Sequence, residues 1–345
     1  MARKSFLSSF TVRRRGKLAL ALVAGALVPF SFAPFDWWPL AMLAIALLYL
    51  CVQSLGERSA ALAGFAFGLG MFGVGASWIY VSIHDYGDVN PAFAGFITAG
   101  FVVFMALYNG VQCWLWRRYL FNWQRGPCFA ASWVLCEAFR GWFLTGFPWL
   151  YLGYAHVTTP LSGLVPIFGV TGLSLLVVVS GVLVAKTVVA VRTMPTSGSL
   201  VRRLLHLRPL GWLIMVLGAG TASRDIEWTA PTLQQPVSFA LVQGNIPQEL
   251  KFNPDHIQQG LNRYVELSKP LWDSQMLIWP ETAIPLVAQE HRDLVEQLAV
   301  QARSHHTAFI SGIFYQSELG VHNGIITAGN ANGVWLKQKL VPFGE

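Results

Sequence analysis

Long apolar stretches separated by short polar loops fill the first two thirds of the chain. Seven of these stretches predict membrane-spanning helices, at residues 18–33, 38–55, 60–82, 92–116, 127–144, 161–185 and 204–223. Most of them reach the roughly 20 residues that an α-helix needs to cross the apolar core of a bilayer. The pattern therefore predicts a polytopic α-helical membrane domain with seven spans over residues 1–224.

The pattern changes after Pro231 to short alternating segments. These segments predict strands at residues 237–243, 275–279, 307–314, 321–328 and 334–341. Amphipathic helices are predicted at residues 255–272 and 290–303. The last two strands flank a turn rich in Gly and Asn, which favours a hairpin. Strands that alternate with helices and end in a hairpin indicate a layered α/β domain over residues 225–345.

Composition and charge support a membrane protein. The chain is 54% hydrophobic and 12% charged, against about 25% charged residues in soluble domains. The loops assigned to the cytoplasm, with the N-terminal arm, hold 15 Lys and Arg residues, and the opposite loops at residues 34–37, 83–91 and 145–160 hold none. This asymmetry predicts a cytoplasmic N-terminus and an outer domain beyond residue 224. Basic charge placed between apolar segments also argues against a nucleic-acid partner.

The positions of the cysteines and histidines do not favour a metal site or a disulfide framework. The four cysteines, Cys51, Cys113, Cys128 and Cys136, lie in or beside apolar segments and form no Cys-x-x-Cys pattern, so structural thiols are the favoured interpretation. The adjacent His305 and His306 are interpreted as solvated surface residues, because neighbouring side chains diverge. We therefore predict no metal site.

Two charged residues lie inside the membrane half. Glu137 and Arg140 are three positions apart near the outer end of the fifth predicted span, so one helix face can hold both. Charges at that depth are usually paired, and a structural ion pair is favoured over contact of Arg140 with a lipid headgroup. Trp149 follows in an aromatic loop, at the level of a bilayer that Trp prefers. Arg140 and Trp149 remain candidate substrate-binding residues.

The candidate chemistry of the outer half begins where the predicted strand at residues 275–279 meets Pro280. Proline cannot donate to a sheet ladder, so the strand is expected to end there. Glu281 then lies at the carboxyl end of a strand, where α/β folds usually carry their chemistry. A carboxylate in a surface loop is the alternative for a lone Glu.

Several motifs in order along the chain carry a family resemblance. They are APF with WPL at residues 33–40, RGW with TGFPW at residues 140–149, VQGNIPQ at residues 242–248, WPE at residues 279–281 and KQKLVPFGE at residues 337–345. The last two resemble catalytic motifs of the nitrilase, or carbon–nitrogen hydrolase, superfamily. Joined to a multispanning first half, the set is similar to the bacterial apolipoprotein N-acyltransferase family.

The resemblance implies an α-β-β-α sandwich and acyl transfer through a Cys thioester, without a cofactor. It assigns Glu281 as general base, Lys337 as the cation that stabilises the oxyanion, and Glu345 as a supporting residue. Lys339 competes with Lys337, because alternate positions of a strand face the same side. Phe252 stands where the family has Trp, and an acyl-contacting role is implied for it.

The implied partners are a phospholipid acyl donor, typically phosphatidylethanolamine, and the N-terminal diacylglyceryl-cysteine of an apolipoprotein. The implied location is the bacterial inner membrane, with the catalytic domain in the periplasm. The family's nucleophilic Cys follows the motif that ends at Glu345, and residues 229–345 contain no Cys. We therefore expect the outer domain to be incomplete over these residues and the 345-residue chain to be inactive alone.

Three other functions remain open from the residues. A permease with an outer binding module would also combine several spans with an extra domain, although no internal repeat is evident. A soluble nitrilase-type amidase would explain the outer half, but a lipid donor better explains the membrane half. An inactive remnant of the acyltransferase would keep the scaffold and two catalytic positions.

Overall fold

Helices form where the apolar pattern of the first half predicts them. The computed structural model describes residues 13–122, 125–194, 200–232 and 235–338. Its first nine α-helices are α1 (Arg14–Leu27), α2 (Pro39–Gln53), α3 (Glu57–Gly75), α4 (Trp78–His84), α5 (Pro91–Leu115), α6 (Arg125–Arg140), α7 (Val165–Arg192), α8 (Leu200–His206) and α9 (Arg208–Ala222). Each of the seven predicted spans overlaps one of the longer helices.

Three helical segments of the described residues are long and apolar enough to cross a membrane. They are Glu57–Gly75, Pro91–Leu120 and Ser162–Arg192, and Pro39–Gln53 is a shorter apolar helix. The second segment continues α5 through one π-helical stretch, Trp116–Leu120. The third predicted span divides into α3 and α4, which are separated at Ala76 and Ser77. The first half is thus a helical region with membrane-spanning character.

Contacts between helix backbones hold α1, α3 and α5 close together. A Cβ atom added to Gly68 of α3 would lie 2.6 Å from the Cα atom of Ala106 in α5, so only glycine fits at this crossing. Asn90 caps α5 by accepting a hydrogen bond from the backbone N–H of Ala92 (3.0 Å).

The chain divides into two compact units between Thr229 and Ala230. The second unit contains three helices, α10 (Gln248–Lys251), α11 (Pro254–Ser268) and α12 (Arg292–Ser304). Its strands are β1 (Phe239–Leu241), β2 (Met276–Ile278), β3 (Ile284–Val287), β4 (Ala308–Ser317), β5 (Gly320–Gly329) and β6 (Gly333–Leu336). Each predicted strand segment contains a strand, and the hairpin is confirmed, but β6 ends at Leu336 and residues 339–341 of its predicted segment lie outside the described residues. Strand β3 and helix α10 were not predicted.

The strands form one mixed sheet in the order β1-β2-β4-β5-β6. Strands β1, β2 and β4 are parallel, whereas β4, β5 and β6 are antiparallel neighbours. Strands β2 and β3 both pair in parallel with β4. Strand β2 pairs with residues 308–310 of β4, and β3 pairs with residues 313–314. Strands β2 and β3 therefore form one interrupted strand, and Pro280 and Glu281 lie in the interruption.

The two faces of the sheet differ in how they are covered. Leu277 and Phe309 lie opposite each other on neighbouring strands and are fully buried with Leu261 and Tyr264 of α11 and Leu298 of α12. On the other face the apolar side chains of Phe239, Leu241, Ile325 and Trp335 are exposed. Within the described residues, helices cover one face of the sheet.

Candidate active site

Glu281 lies in the break between β2 and β3. The strand ends because Pro280 has no N–H to donate, and the chain turns as the N–H of Ala283 donates to the carbonyl oxygen of Pro280 (3.2 Å). Thr282 adopts a φ of 50°, which a β-branched residue reaches at a cost of about 1–3 kcal/mol. Glu281 therefore closely follows the carboxyl end of β2, as the sequence predicted, and 65% of its side chain is exposed.

Gly312 of β4 allows this turn to lie against the sheet. A Cβ atom there would lie 2.7 Å from the Cα atom of Glu281 and 2.7 Å from the carbonyl oxygen of Pro280, and it would collide with the backbone nitrogen of Thr282. The N–H of Gly312 donates to the carbonyl oxygen of Pro280 (3.2 Å). Glycine at this position therefore sets how closely Glu281 approaches β4.

One carboxylate oxygen of Glu281 accepts two hydrogen bonds from the hairpin. Asn323 Nδ2 donates to Oε1 over 2.8 Å, and the Lys337 ammonium donates to the same oxygen over 3.1 Å. Asn323 Oδ1 accepts from the hydroxyl of Thr282 (3.3 Å). The amide of Asn323 thus bridges two consecutive residues of the turn, and Oε2 of Glu281 has no hydrogen-bond partner among the described residues.

The register of β5 and β6 brings Asn323 and Lys337 together. Ile325 pairs with Trp335, and two residues further along each strand the N–H of Lys337 donates to the carbonyl oxygen of Asn323 (2.9 Å). Residues two apart on a strand face the same side, so Asn323 and Lys337 share the exposed sheet face with Ile325 and Trp335. The sequence analysis named Lys337 as a site residue but missed Asn323. Asn323 could have been found because it lies two residues before Ile325 in β5 and so faces the same side of the sheet.

A second lysine, Lys251, contacts the turn from the end of α10 and not from the hairpin. Its ammonium donates to the backbone carbonyl oxygen of Glu281 over 3.2 Å. Burial lowers the pKa of Lys251, and the negative charge of Glu281 partly opposes that shift. Sequence reasoning did not consider Lys251 as a site residue. Phe252, the predicted acyl-contacting residue, is half exposed and stacks on Phe314 with ring centres 6.3 Å apart.

Two clefts meet at Glu281. One, of about 280 Å³, has a largely apolar wall that includes Ile278, Ile310, Ile325 and Trp335, with Lys337 at its margin. The other, of about 200 Å³, lies between the turn, α10 and α11, and it is lined by more polar side chains, among them those of Gln243, Asn245, Gln248, Lys251 and His256. The carboxylate can therefore reach an apolar ligand on one side and a polar ligand on the other.

Arg140 and Trp149 lie in the helical unit. The Arg140 guanidinium is buried, and it donates to the backbone carbonyl oxygens of Phe147 (3.0 Å) and Trp149 (2.6 Å) and lies 3.9 Å from Glu137 Oε1. The N–H of Leu152 donates to the same Glu137 oxygen (3.1 Å). The pair therefore fastens the loop after α6, which is what a structural ion pair does. Half of Trp149 is exposed.

Two of the predicted site positions, Lys339 and Glu345, lie outside the described residues. Across the described ranges, no group of three His, Cys, Asp or Glu side chains could hold a metal ion. The four cysteines lie in the helical unit, where Cys51 and Cys113 are buried.

Comparison with known proteins gives a consistent result. Residues 24–183 match the family described as apolipoprotein N-acyltransferase N-terminal domain. The chain is 40% identical over 342 residues to a protein of Azotobacter vinelandii and 41% identical over 339 residues to one of Pseudomonas aeruginosa, with 94% of this chain covered in each case. It is 35% identical over 363 residues to a protein of Photobacterium profundum, with all of this chain covered.

All three relatives carry the name apolipoprotein N-acyltransferase. The chain spans between 63% and 65% of their lengths.

Proposed function

We infer that this chain belongs to the apolipoprotein N-acyltransferase family, and we propose that the protein containing it transfers an acyl chain from a phospholipid to the N-terminal amine of a lipoprotein. The observation that carries the proposal is the hydrogen-bonded group of Glu281, Asn323 and Lys337 beside an apolar cleft. The cleft suits an acyl chain, and a carboxylate beside an ammonium suits proton transfer next to a developing oxyanion. Phosphatidylethanolamine is the proposed donor.

In the first half of the proposed reaction, Oε2 of Glu281 takes the proton of a Cys thiol. The thiolate attacks the ester carbonyl carbon of the phospholipid, and the Lys337 ammonium stabilises the negative oxygen of the tetrahedral intermediate, an effect of about 3 kcal/mol for one well-placed donor. The C–O bond then breaks, and the leaving alcohol takes the proton from Glu281. The products are a thioester and a lysophospholipid. The resemblance places this Cys after the motif at residues 342–345.

In the second half, the α-amine of the diacylglyceryl-cysteine attacks the thioester carbon. Glu281 accepts the proton that the amine loses, the C–S bond of the thioester breaks as the amide forms, and the departing thiolate takes the proton from Glu281. Asn323 holds Oε1 in both halves, so that the same oxygen, Oε2, faces the reacting groups each time. A covalent intermediate lets one site bind the donor and the acceptor in turn.

The test is to follow the reading frame past codon 345, purify the complete encoded protein and assay acylation of a diacylglyceryl peptide. Glu281→Gln and Lys337→Met are each expected to lower turnover by at least 100-fold. Glu290→Gln, a carboxylate exposed on the same unit, is the matched control, and Lys339→Met examines the competing lysine. Full turnover by Glu281→Gln would refute the proposal. Turnover by the 345-residue chain alone would show that the nucleophile lies within it.

We further propose that the exposed sheet face packs against a second sheet, giving the α-β-β-α sandwich of the nitrilase superfamily. Phe239 and Leu241 of β1 and Trp335 of β6 are each more than half exposed on that face, which soluble sheets rarely leave open. A second layer would also enclose the apolar cleft, since Ile325 and Trp335 line it.

The proposed topology places the N-terminus in the cytoplasm of a cell with an inner membrane and the second unit in the periplasm, after seven crossings. The uneven distribution of Lys and Arg supports it. Alkaline phosphatase fused after Ala230 is expected to be active, and the same enzyme fused after Asn122 is expected to be inactive. The reverse result would refute the orientation.

A further inference from the structure

A basic cavity lies at one end of the helical unit, where α3 begins and the α5 segment ends. It measures about 580 Å³ and is lined by Gly56, Glu57, Arg58, Ser59, Arg117, Arg118 and Asn122. Arg125, the first residue of α6, lies close by, because its guanidinium and that of Arg117 both sit over the ring of Phe121, at 4.3 Å and 3.7 Å. We refer to Arg58, Arg117, Arg118 and Arg125 as the arginine cluster.

The arginine cluster carries more positive charge than its surroundings neutralise. Glu57 is the acidic residue that lines the cavity, and it pairs with Arg118 over 3.2 Å. No carboxylate among the described residues lies within ion-pair distance of Arg58, Arg117 or Arg125. Holding cations together without counter-charges is unfavourable, so the cavity is complementary to an anion.

The Arg117 guanidinium is held in place by one hydrogen bond and one ring contact, which leave its two terminal nitrogens available to a ligand. Its Nε donates to the carbonyl oxygen of Leu55 (2.6 Å), and its guanidinium stacks on Phe121. Neither terminal nitrogen of Arg117 has a hydrogen-bond partner among the described residues, although both belong to the planar fork that binds phosphate through two hydrogen bonds. The π-helical stretch Trp116–Leu120 presents Arg117 and Arg118 at this point. The cavity is therefore pre-organised for a phosphate group.

Apolar side chains continue from the cavity along the same helices. Leu62 of α3 and Val111 of α5 are exposed, and both helices belong to segments long and apolar enough to span a membrane. A ligand with an anionic head and an apolar tail would satisfy both surfaces. A free phosphate would contact the arginine cluster alone.

We propose that the arginine cluster binds the phosphate headgroup of an anionic phospholipid, at a site separate from Glu281 and Lys337. Basic pockets between spanning helices bind anionic headgroups through charge and hydrogen bonds together. The site depends on neither the proposed reaction nor its acyl donor, because its residues all lie in the helical unit. The lipid would secure the ends of α3, α5 and α6 to one another.

The test is native mass spectrometry of the purified 345-residue chain in detergent, with phosphatidylglycerol as the probe. The expected result is tighter binding of phosphatidylglycerol than of zwitterionic phosphatidylcholine. Each arginine near a headgroup contributes about a fivefold factor, so the double variant Arg58→Gln with Arg117→Gln is expected to bind phosphatidylglycerol about 25-fold more weakly. The matched control, Arg192→Gln with Arg203→Gln, removes two charges elsewhere in the helical unit.

With a folded double variant, three results would overturn the proposal. If the double variant and its control lose affinity for phosphatidylglycerol equally, the lipid is attracted by the net charge of the helical unit and not by this cluster. If phosphatidylglycerol and phosphatidylcholine bind equally, the site does not recognise the charge of the headgroup. Displacement of the lipid by inorganic phosphate at equal concentration would identify a free-phosphate site. If the double variant does not fold, Arg58→Gln alone, on an exposed side chain, must give about a fivefold loss, and an unchanged affinity refutes the site.

Discussion

The fit between Gly312 and the Glu281 turn can be tested by adding one methyl group. In Gly312→Ala the new Cβ would lie 2.7 Å from both Glu281 Cα and the carbonyl oxygen of Pro280. Both are backbone atoms, so no side-chain rotation can relieve the overlap. The turn must move away from β4, and the hydrogen bond from Gly312 to Pro280 must lengthen.

The size of the effect follows from these two contacts. Overpacking by one methyl group costs about 1–3 kcal/mol, and loss of one backbone hydrogen bond costs about 1 kcal/mol. Together they predict that local opening of the turn becomes easier by about 2–4 kcal/mol, or roughly 30- to 1000-fold. In the complete protein, displacement of Glu281 by about 1 Å is expected to lower turnover roughly 100-fold.

Hydrogen exchange measured by mass spectrometry reports the opening directly, in peptides covering residues 276–287 and 308–317. Gly260→Ala is the matched control, since Gly260 lies inside α11 and the nearest atoms to an added Cβ are those of Ile246 at 3.9 Å. That change should stabilise the helix by about 0.5–1 kcal/mol. Exchange in Gly312→Ala within threefold of the wild type would refute the conclusion that this contact positions Glu281.

Three further predictions concern the two units separately. Asn323→Ala is expected to lower kcat about tenfold or more with KM unchanged, because a hydrogen bond to a charged group contributes about 1.5–3 kcal/mol, and an equal change in both constants would contradict this role. Competitive amine labelling should show Lys251 titrating with a pKa below 10.5, and lower still in Glu281→Gln, because the carboxylate raises that pKa; an unchanged value in the variant would contradict the contact. Arg140→Gln breaks a buried ion pair and should lower the free energy of unfolding, measured in detergent, by about 3–5 kcal/mol. Arg118→Gln at an exposed pair should change that free energy little.

The helices of the first unit could be predicted from the length of their apolar stretches. In the second unit, helices and strands could be distinguished because apolar residues recur with period 3.6 in the helices and period 2 in the strands. Proline explains both a success and a failure of the prediction. Pro280 marks the end of β2, which drew attention to Glu281. Pro285 lies inside β3, and a proline argues against a strand, so β3 was missed.

Partners that meet only after folding could not be predicted. Asn323 and Lys337 are 14 positions apart, and only the register of β5 with β6 brings them to one oxygen of Glu281. The spacing of Arg140 and Glu137 predicted a shared helix face, but the carbonyl groups that Arg140 binds arrive only after the chain has turned back. Gly312 did leave a signal, since an isolated glycine in a strand often marks a close backbone approach.

The choice of Lys at position 337 follows from the contacts of Glu281. Lys337 must stay close to the carboxylate and, in the proposed reaction, also approach an oxyanion formed on another molecule. An ammonium has three N–H donors directed to different sides, and the contact with Oε1 uses one of them. A guanidinium would instead aim a planar pair of donors at the carboxylate and engage both of its oxygens. That arrangement would occupy Oε2, the oxygen that the proposed reaction needs as its base, so Arg at this position would neutralise the site it is meant to assist.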